Sequence, residues 1–231
     1  MPLNVGVLII GSLAWDRERS TWRDNRLHTT RALAVTAPIR YGRRSQNRGK
    51  TFTMVFSRGC PLGRAIIAPC ALGISNIGDL VTEAEHLWAA ESNKPIEQCI
   101  SASWGRIVVL PNPSSTIPLS LMKDWAERVS GEPTYGDVPQ AEREGQLVSK
   151  EGILQIAWPQ PIGTVPADLP DLLLATATHP SLQGSPRDYS SVEEIAGAWK
   201  SDRSNQIKYF LQNVAHGIHT FQDAAIRERL L

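Results

Sequence analysis

Val5-Gly6-Val7-Leu8-Ile9-Ile10, an unbroken apolar run halted by Gly11-Ser12, constrains the fold more than any other segment. Its length and its β-branched residues read as a buried strand. It is too short to cross a bilayer and lacks the basic start of a secretory signal. A glycine-serine turn directly after such a strand exposes backbone N–H groups that can bind a carboxylate or carbonyl oxygen. Most turns of this kind are only turns.

A buried strand needs a core around it, and 231 residues suffice for one substantial core or two small ones. Hydrophobic residues make up 42% and charged residues 20% of the chain, as in ordinary globular proteins rather than disordered or membrane ones. A net charge of +1 provides no global field to recruit nucleic acid or anionic lipid. The three cysteines, Cys60, Cys70 and Cys99, form no C-x-x-C pair, so a disulfide framework is not expected and a cytoplasmic, reducing compartment is. Seven tryptophans imply several large buried faces in the core or a pocket.

Strand periodicity recurs at 32–39, 52–56, 64–68, 104–110, 153–158 and 172–177. Between these, 16–31 reads as a loop with room for a helical turn, 40–50 as a basic loop, and 132–151 as a long loop or lid. Ile77, Leu80, Val81, Ala84, Leu87 and Trp88 make a helical stripe, and Leu119, Met122, Trp125 and Val129 a second one stopped by Gly131. Near the C-terminus, Ser190-x-x-Glu193 and Ser191-x-x-Glu194 are overlapping capping boxes ahead of a helix carrying Ile195, Ala196 and Trp199. A further helix from about Ser204 precedes Gly217, and Thr220 is placed to cap a short terminal one. No repeat or low-complexity linker interrupts the chain, so the expected fold class is α+β, a single unit over 1–231 with strands first and helices late.

Three groups of residues are candidates for chemistry. At about 100° per residue, Glu91 returns to the middle of the Ile77 stripe, whereas Glu83 and His86 point away from it and Glu85 lies near its edge. A carboxylate aimed at a core, near the negative end of a helix, is pushed toward its protonated form and toward the range of a general base. The same glutamate would be ordinary if the helix stopped earlier, or if it paired with Lys94 or an arginine. Arg40, Arg43 and Arg44 form a compact basic stretch with Tyr41, suited to an anionic substrate group, although most such runs are simply solvated faces. Cys70 could pair with His86 or His179 as nucleophile and base, although a buried structural cysteine is the ordinary state. His216 and His219 lack the i, i+4 spacing of a helical metal pair, and no phosphate-binding glycine motif is present, so no metal is expected.

In this order the motifs resemble the γ-glutamylcyclotransferase-like superfamily, which includes AIG2-like and BtrG-like proteins. That family opens with a strand running into Tyr-Gly-Ser/Thr-Leu, here Ile10-Gly11-Ser12-Leu13. Its small-residue strand, of the sense Gly-x-Ala-x-Ile-x-Pro, resembles Gly63-Arg64-Ala65-Ile66-Ile67-Ala68-Pro69. A helix ending in Leu-Asp-x-x-Glu follows in the family, here Leu87-Trp88-Ala89-Ala90-Glu91. Ile10 replaces the family's tyrosine and Trp88 its aspartate, and the match covers roughly the first half of the chain.

The resemblance implies a small mixed β-barrel flanked by helices, with a core over roughly 1–160 and a helical C-terminal extension over 161–231. It implies Glu91 as catalytic acid/base, and Gly11, Ser12 and Leu13 as the substrate-binding rim. With Arg40 and Arg43 added from the basic stretch, the expected activity is cyclisation of a γ-glutamyl amine or related small amide, releasing 5-oxoproline without cofactor or metal. The alternative is a non-catalytic small-molecule-binding or interaction protein on the same fold. Either way the expected partner is a small molecule, not nucleic acid or membrane; the sequence leaves the oligomeric state open.

Overall fold

A computed structural model describes residues 2–45, 51–131, 145–164, 169–184, 188–201 and 206–230. Among them the elements run β1 (Val5–Ile9), α1 (Ser20–Arg26), β2 (Leu33–Ala37), β3 (Ile39–Arg44), β4 (Phe52–Phe56), β5 (Gly63–Pro69), α2 (Ile77–Ser92), β6 (Ser101–Ala102), β7 (Gly105–Pro111), α3 (Leu119–Ser130), β8 (Leu172–Thr178), α4 (Val192–Ser201), α5 (Gln206–Ala215) and α6 (Asp223–Leu230). Six strands form a mixed sheet in the order β2-β5-β1-β8-β7-β6, and β3 and β4 form a separate antiparallel ribbon. β1 lies inside the sheet, antiparallel to β5 and parallel to β8.

That position explains why β1 is apolar at every residue. Val5, Val7 and Ile9 face Leu80 and Leu87 of α2 and Trp125 of α3. Leu8 faces the opposite cluster, with Tyr41 and Phe56 of the ribbon and Trp199 and Phe210 of α4 and α5. β8 divides in the same way, Leu172 and Leu174 to one side, Leu173 and Ala175 to the other. A strand buried on both faces reads as a continuous apolar run. The two covering layers also satisfy the sheet without closure: β2 and β6 end the ladder, and the described pairings show an α+β fold with a mixed sheet but no closed barrel.

Several local expectations change. The basic segment from Arg40 is not a loop as far as Arg44 but strand β3, because Ile39 and Tyr41 alternate into the core and both are fully buried. The register shifts between Tyr41 and Arg43, where Gly42 is required: a Cβ there would lie 2.6 Å from Val55 Cγ2 and 2.9 Å from Tyr189 Cδ1. Residues 153–158 are not a strand. Ile153 and Leu154 make only isolated bridges, where Val109 N–H donates to Gly152 O and Leu154 N–H to Val109 O along an edge of β7 that the two-residue β6 leaves uncovered. The segment 16–31 carries α1 and flanking 3-10 turns. Most of the lid expected at 132–151, residues 132–144, lies outside the described residues, as do 46–50 of the basic loop.

The C-terminal part is not appended to a finished core. β8 sits inside the sheet, and Ile195, Trp199, Phe210, Ile218 and Ile226 belong to the same cluster as the ribbon. Of the two overlapping capping boxes, Ser191 and Glu194 form the real one: Ser191 N–H donates to Glu194 Oε2 (2.7 Å) and Glu194 N–H to Ser191 Oγ (3.2 Å). Ser190 Oγ instead accepts from Gln183 Nε2 (3.0 Å). Among the described residues no helix is long and apolar enough to cross a membrane.

Candidate functional site

β1 and β8 are parallel neighbours, in register from Val5↔Leu172 to Leu8↔Ala175, so their C-terminal ends emerge side by side. The continuations of both strands, Ile10 to Leu13 and Thr178 to Ser181, line one cavity of about 1170 Å³. The carboxyl ends of parallel strands are where open sheets place ligands. Glu91 from the last turn of α2, Arg43 and Arg44 from β3, and Tyr209 from α5 line the same space.

The Gly11 turn is held from two directions. It winds into a 3-10 turn over Ser12–Ala14, in which Ala14 N–H donates to Gly11 O (3.0 Å) and Trp15 N–H to Ser12 O (3.1 Å). Arg23 of α1 donates from Nη1 to Leu13 O (2.9 Å) and to Asp16 O (2.7 Å). Three residues on, Arg26 makes a two-pronged ion pair with Glu83 of α2, one prong from Nε to Oε2 at 3.2 Å. α1 therefore ties the turn to the helix that carries Glu91.

α2 begins at Asn76, whose Oδ1 accepts from Asp79 N–H (3.1 Å) while Asp79 Oδ2 accepts from Ser75 N–H (2.8 Å). It ends at Asn93, a left-handed residue (φ 53°) whose N–H donates to Ala89 O and whose side chain donates to Glu18 Oε2 (3.2 Å). This C-cap leaves Glu91 half-buried at the cavity. The expectation for Glu83 needs correction. It does not point away from the packed face but is 4% exposed, because α1 covers that flank of α2. Burial raises its carboxyl above the usual glutamate range, and Arg26 offsets only part of the rise.

The basic stretch splits. Arg43 Nη1 donates to Trp104 O (2.7 Å) and its guanidinium lies 5.1 Å from the Trp104 ring, which stacks on Trp88 at 4.6 Å. Arg40 does not line the cavity. One residue out of phase with buried Tyr41, it lies 4.0 Å from the ring of Tyr189 and 5.6 Å from that of Phe221. The cysteine option also falls away, since burial, reinforced by Glu83, pushes the Cys70 thiol up to about 12, far from a thiolate nucleophile.

His179, just past the end of β8, lines the cavity with its pKa lowered to about 4 by burial first and by Arg43 next. Its imidazole is therefore neutral at physiological pH. The unfolded chain takes up a proton near pH 6.5 that the folded chain resists until about pH 4. This group's stabilisation is thus complete above pH 6.5 and is lost as the pH falls toward 4. Allowing for solvent screening, wild type should lose about 1 kcal/mol more stability between pH 7 and pH 5 than His179→Gln does. Urea unfolding at the two pH values measures this, and equal losses would remove His179 as the titrating group.

Tyr209 and Trp15 were not legible as site residues. Gly11 has an ordinary extended φ of −172°. Its requirement for glycine comes from a close approach, because a Cβ there would stand 2.7 Å from Tyr209 Oη. No local pattern marks a contact between residues so far apart in the chain. Comparison with known proteins finds no matching family model, no matching curated protein and no matching solved structure.

Proposed function

We propose that this protein is a γ-glutamylcyclotransferase-like enzyme that cyclises a γ-glutamyl amine or related small amide and releases 5-oxoproline. The observation that carries the reading is the meeting of the Gly11–Leu13 turn, Glu91 and Arg43 around one cavity. In this reaction the substrate's α-amino nitrogen attacks its own γ-carbonyl carbon. A new C–N bond closes the lactam, the original amide C–N bond breaks, and the free amine departs without consumption of water. Glu91 takes the proton from the attacking nitrogen and returns it to the leaving one. Turn N–H groups receive the charge developing on the carbonyl oxygen, and the cavity walls hold the chain of the substrate in its cyclising shape.

In this reading the open sheet and the β3–β4 ribbon correspond to the family's barrel. Arg43, fixed on Trp104, serves an anionic substrate group, and Arg40 has no part. That Cys60, Cys70 and Cys99 are thiols and not disulfides supports, within this reading, a cytoplasmic location. The experiment is a panel of γ-glutamyl amines and γ-glutamyl amino acids incubated with the wild-type chain and read by 5-oxoproline formation. Saturable release from at least one member is expected. Binding of panel members without release would instead establish a binding protein.

A further inference from the structure

Past Ala175 the pairing of β8 with β1 stops, while its pairing with β7 runs on through Thr176↔Ile107 to Thr178↔Gly105. Thr176 is therefore the first residue of β8 beyond the fork between the two parallel strands. By alternation it shares a face with Leu172 and Leu174, the face covered by α2, whose last turn carries Glu91. It lines the cavity, and the residue is only 6% exposed. Among the described residues its Oγ1 has no hydrogen-bond partner. Thr51, buried at the entry to β4, lines the cavity in the same condition, so two elements bring unsatisfied hydroxyls to it. Buried hydroxyls in folded proteins are almost always hydrogen-bonded, and one left without a partner destabilises the chain. Valine has the same branched shape and the same preference for strands, and would fill such a position without that cost.

We propose that Thr176 is a ligand-binding residue, its hydroxyl donating to a carbonyl or carboxylate oxygen of a small anionic ligand held where β1 and β8 part. The assignment rests on this cavity being the ligand site, as in the function proposed above, and it adds β8 to the elements that contact the ligand. The anionic character follows from what surrounds the end of the strand. Trp104 O accepts both from Arg43 Nη1 (2.7 Å) and from His179 N–H (2.9 Å), which sets the Arg43 guanidinium beside the end of β8. Its positive charge and the Thr176 hydroxyl therefore belong to one cavity. A β-branched side chain in a central strand has little rotamer freedom, so little is lost when its hydroxyl takes a ligand oxygen.

Thr176→Val removes the hydroxyl and keeps the branched shape. Two probes, 5-oxoproline and glutarate, are titrated by calorimetry into wild type and variant. Thermal unfolding of both proteins is recorded without ligand, and γ-glutamylalanine turnover is followed in parallel. Probe binding is expected to be about tenfold weaker in the variant. Its ligand-free unfolding midpoint should rise by about 2–4 °C, because an unsatisfied buried hydroxyl is gone. These opposite directions separate a hydroxyl that binds ligand from one that serves the fold. A midpoint several degrees lower in the variant would overturn the assignment, as would equal affinities in the two proteins or binding of neither probe by wild type. Weaker binding by the variant with no turnover in either protein would sink the reaction and leave Thr176 in place. Turnover with unchanged KM and kcat in the variant would sink Thr176 alone.

Discussion

Glu91→Gln is expected to lower 5-oxoproline release by about 10³-fold, the usual range for removal of a general acid–base group. Gln has the shape of Glu and keeps a polar head, so it still fills the half-buried position at the end of α2. What it loses is the ability to accept a proton from the attacking nitrogen and pass it on. The fold should be little affected, with stability within about 0.5 kcal/mol of wild type, as for most substitutions outside a core. A steady-state assay on whichever panel member turns over gives kcat and KM for both proteins. A fall in kcat with KM nearly unchanged is the signature of a group that acts in the chemical step. Undiminished turnover would remove Glu91 from the mechanism and leave the cavity as a binding site.

The second large effect falls on stability. Glu83→Ala should destabilise the chain by about 3 kcal/mol, since it strands the largely buried Arg26 guanidinium without its partner. The pair itself contributes far less than that figure. Burial already pushes the Glu83 carboxyl toward its neutral form, and the attraction to Arg26 repays only part of the cost. The double variant Arg26→Met/Glu83→Met should therefore recover most of the loss and end within about 1 kcal/mol of wild type. Urea unfolding of the three proteins decides the matter. A double variant as unstable as the single one would mean that packing, not a stranded charge, sets the effect. The same pair bears on the site, because Arg23 on α1 holds Leu13 O and Asp16 O. Glu83→Ala should loosen the Gly11 turn relative to Glu91 and lower turnover even where the chain remains folded.

Much of the framework was legible residue by residue. The apolar run of β1, the alternation of β4 and the stripe of α2 announce their elements, because each is a local pattern at a local period. The phase of Glu91 was also readable, since one helix fixes the angle between its own side chains. Glu83 was misjudged on the same helix. The stripe describes the face packed on the sheet, whereas α1 supplies a second covering surface that lies more than fifty residues away in sequence. β3 was hidden because its arginines masked an alternation whose buried members, Ile39 and Tyr41, are separated by a single position.

By itself the sequence determined that the first strand is buried, that a glycine-serine turn closes it, and that a long helix ends in a glutamate phased to its apolar side. Only the tertiary structure decided that these meet at one cavity, that Arg43 belongs to it and Arg40 does not, and that Tyr209 stands over Gly11. The reason is range. Backbone propensity, capping and periodicity act over a few residues, and their record is written in adjacent positions. A close approach such as Tyr209 to Gly11 depends on how layers stack on the two faces of the sheet, and it leaves no mark at either position except a glycine with an ordinary φ.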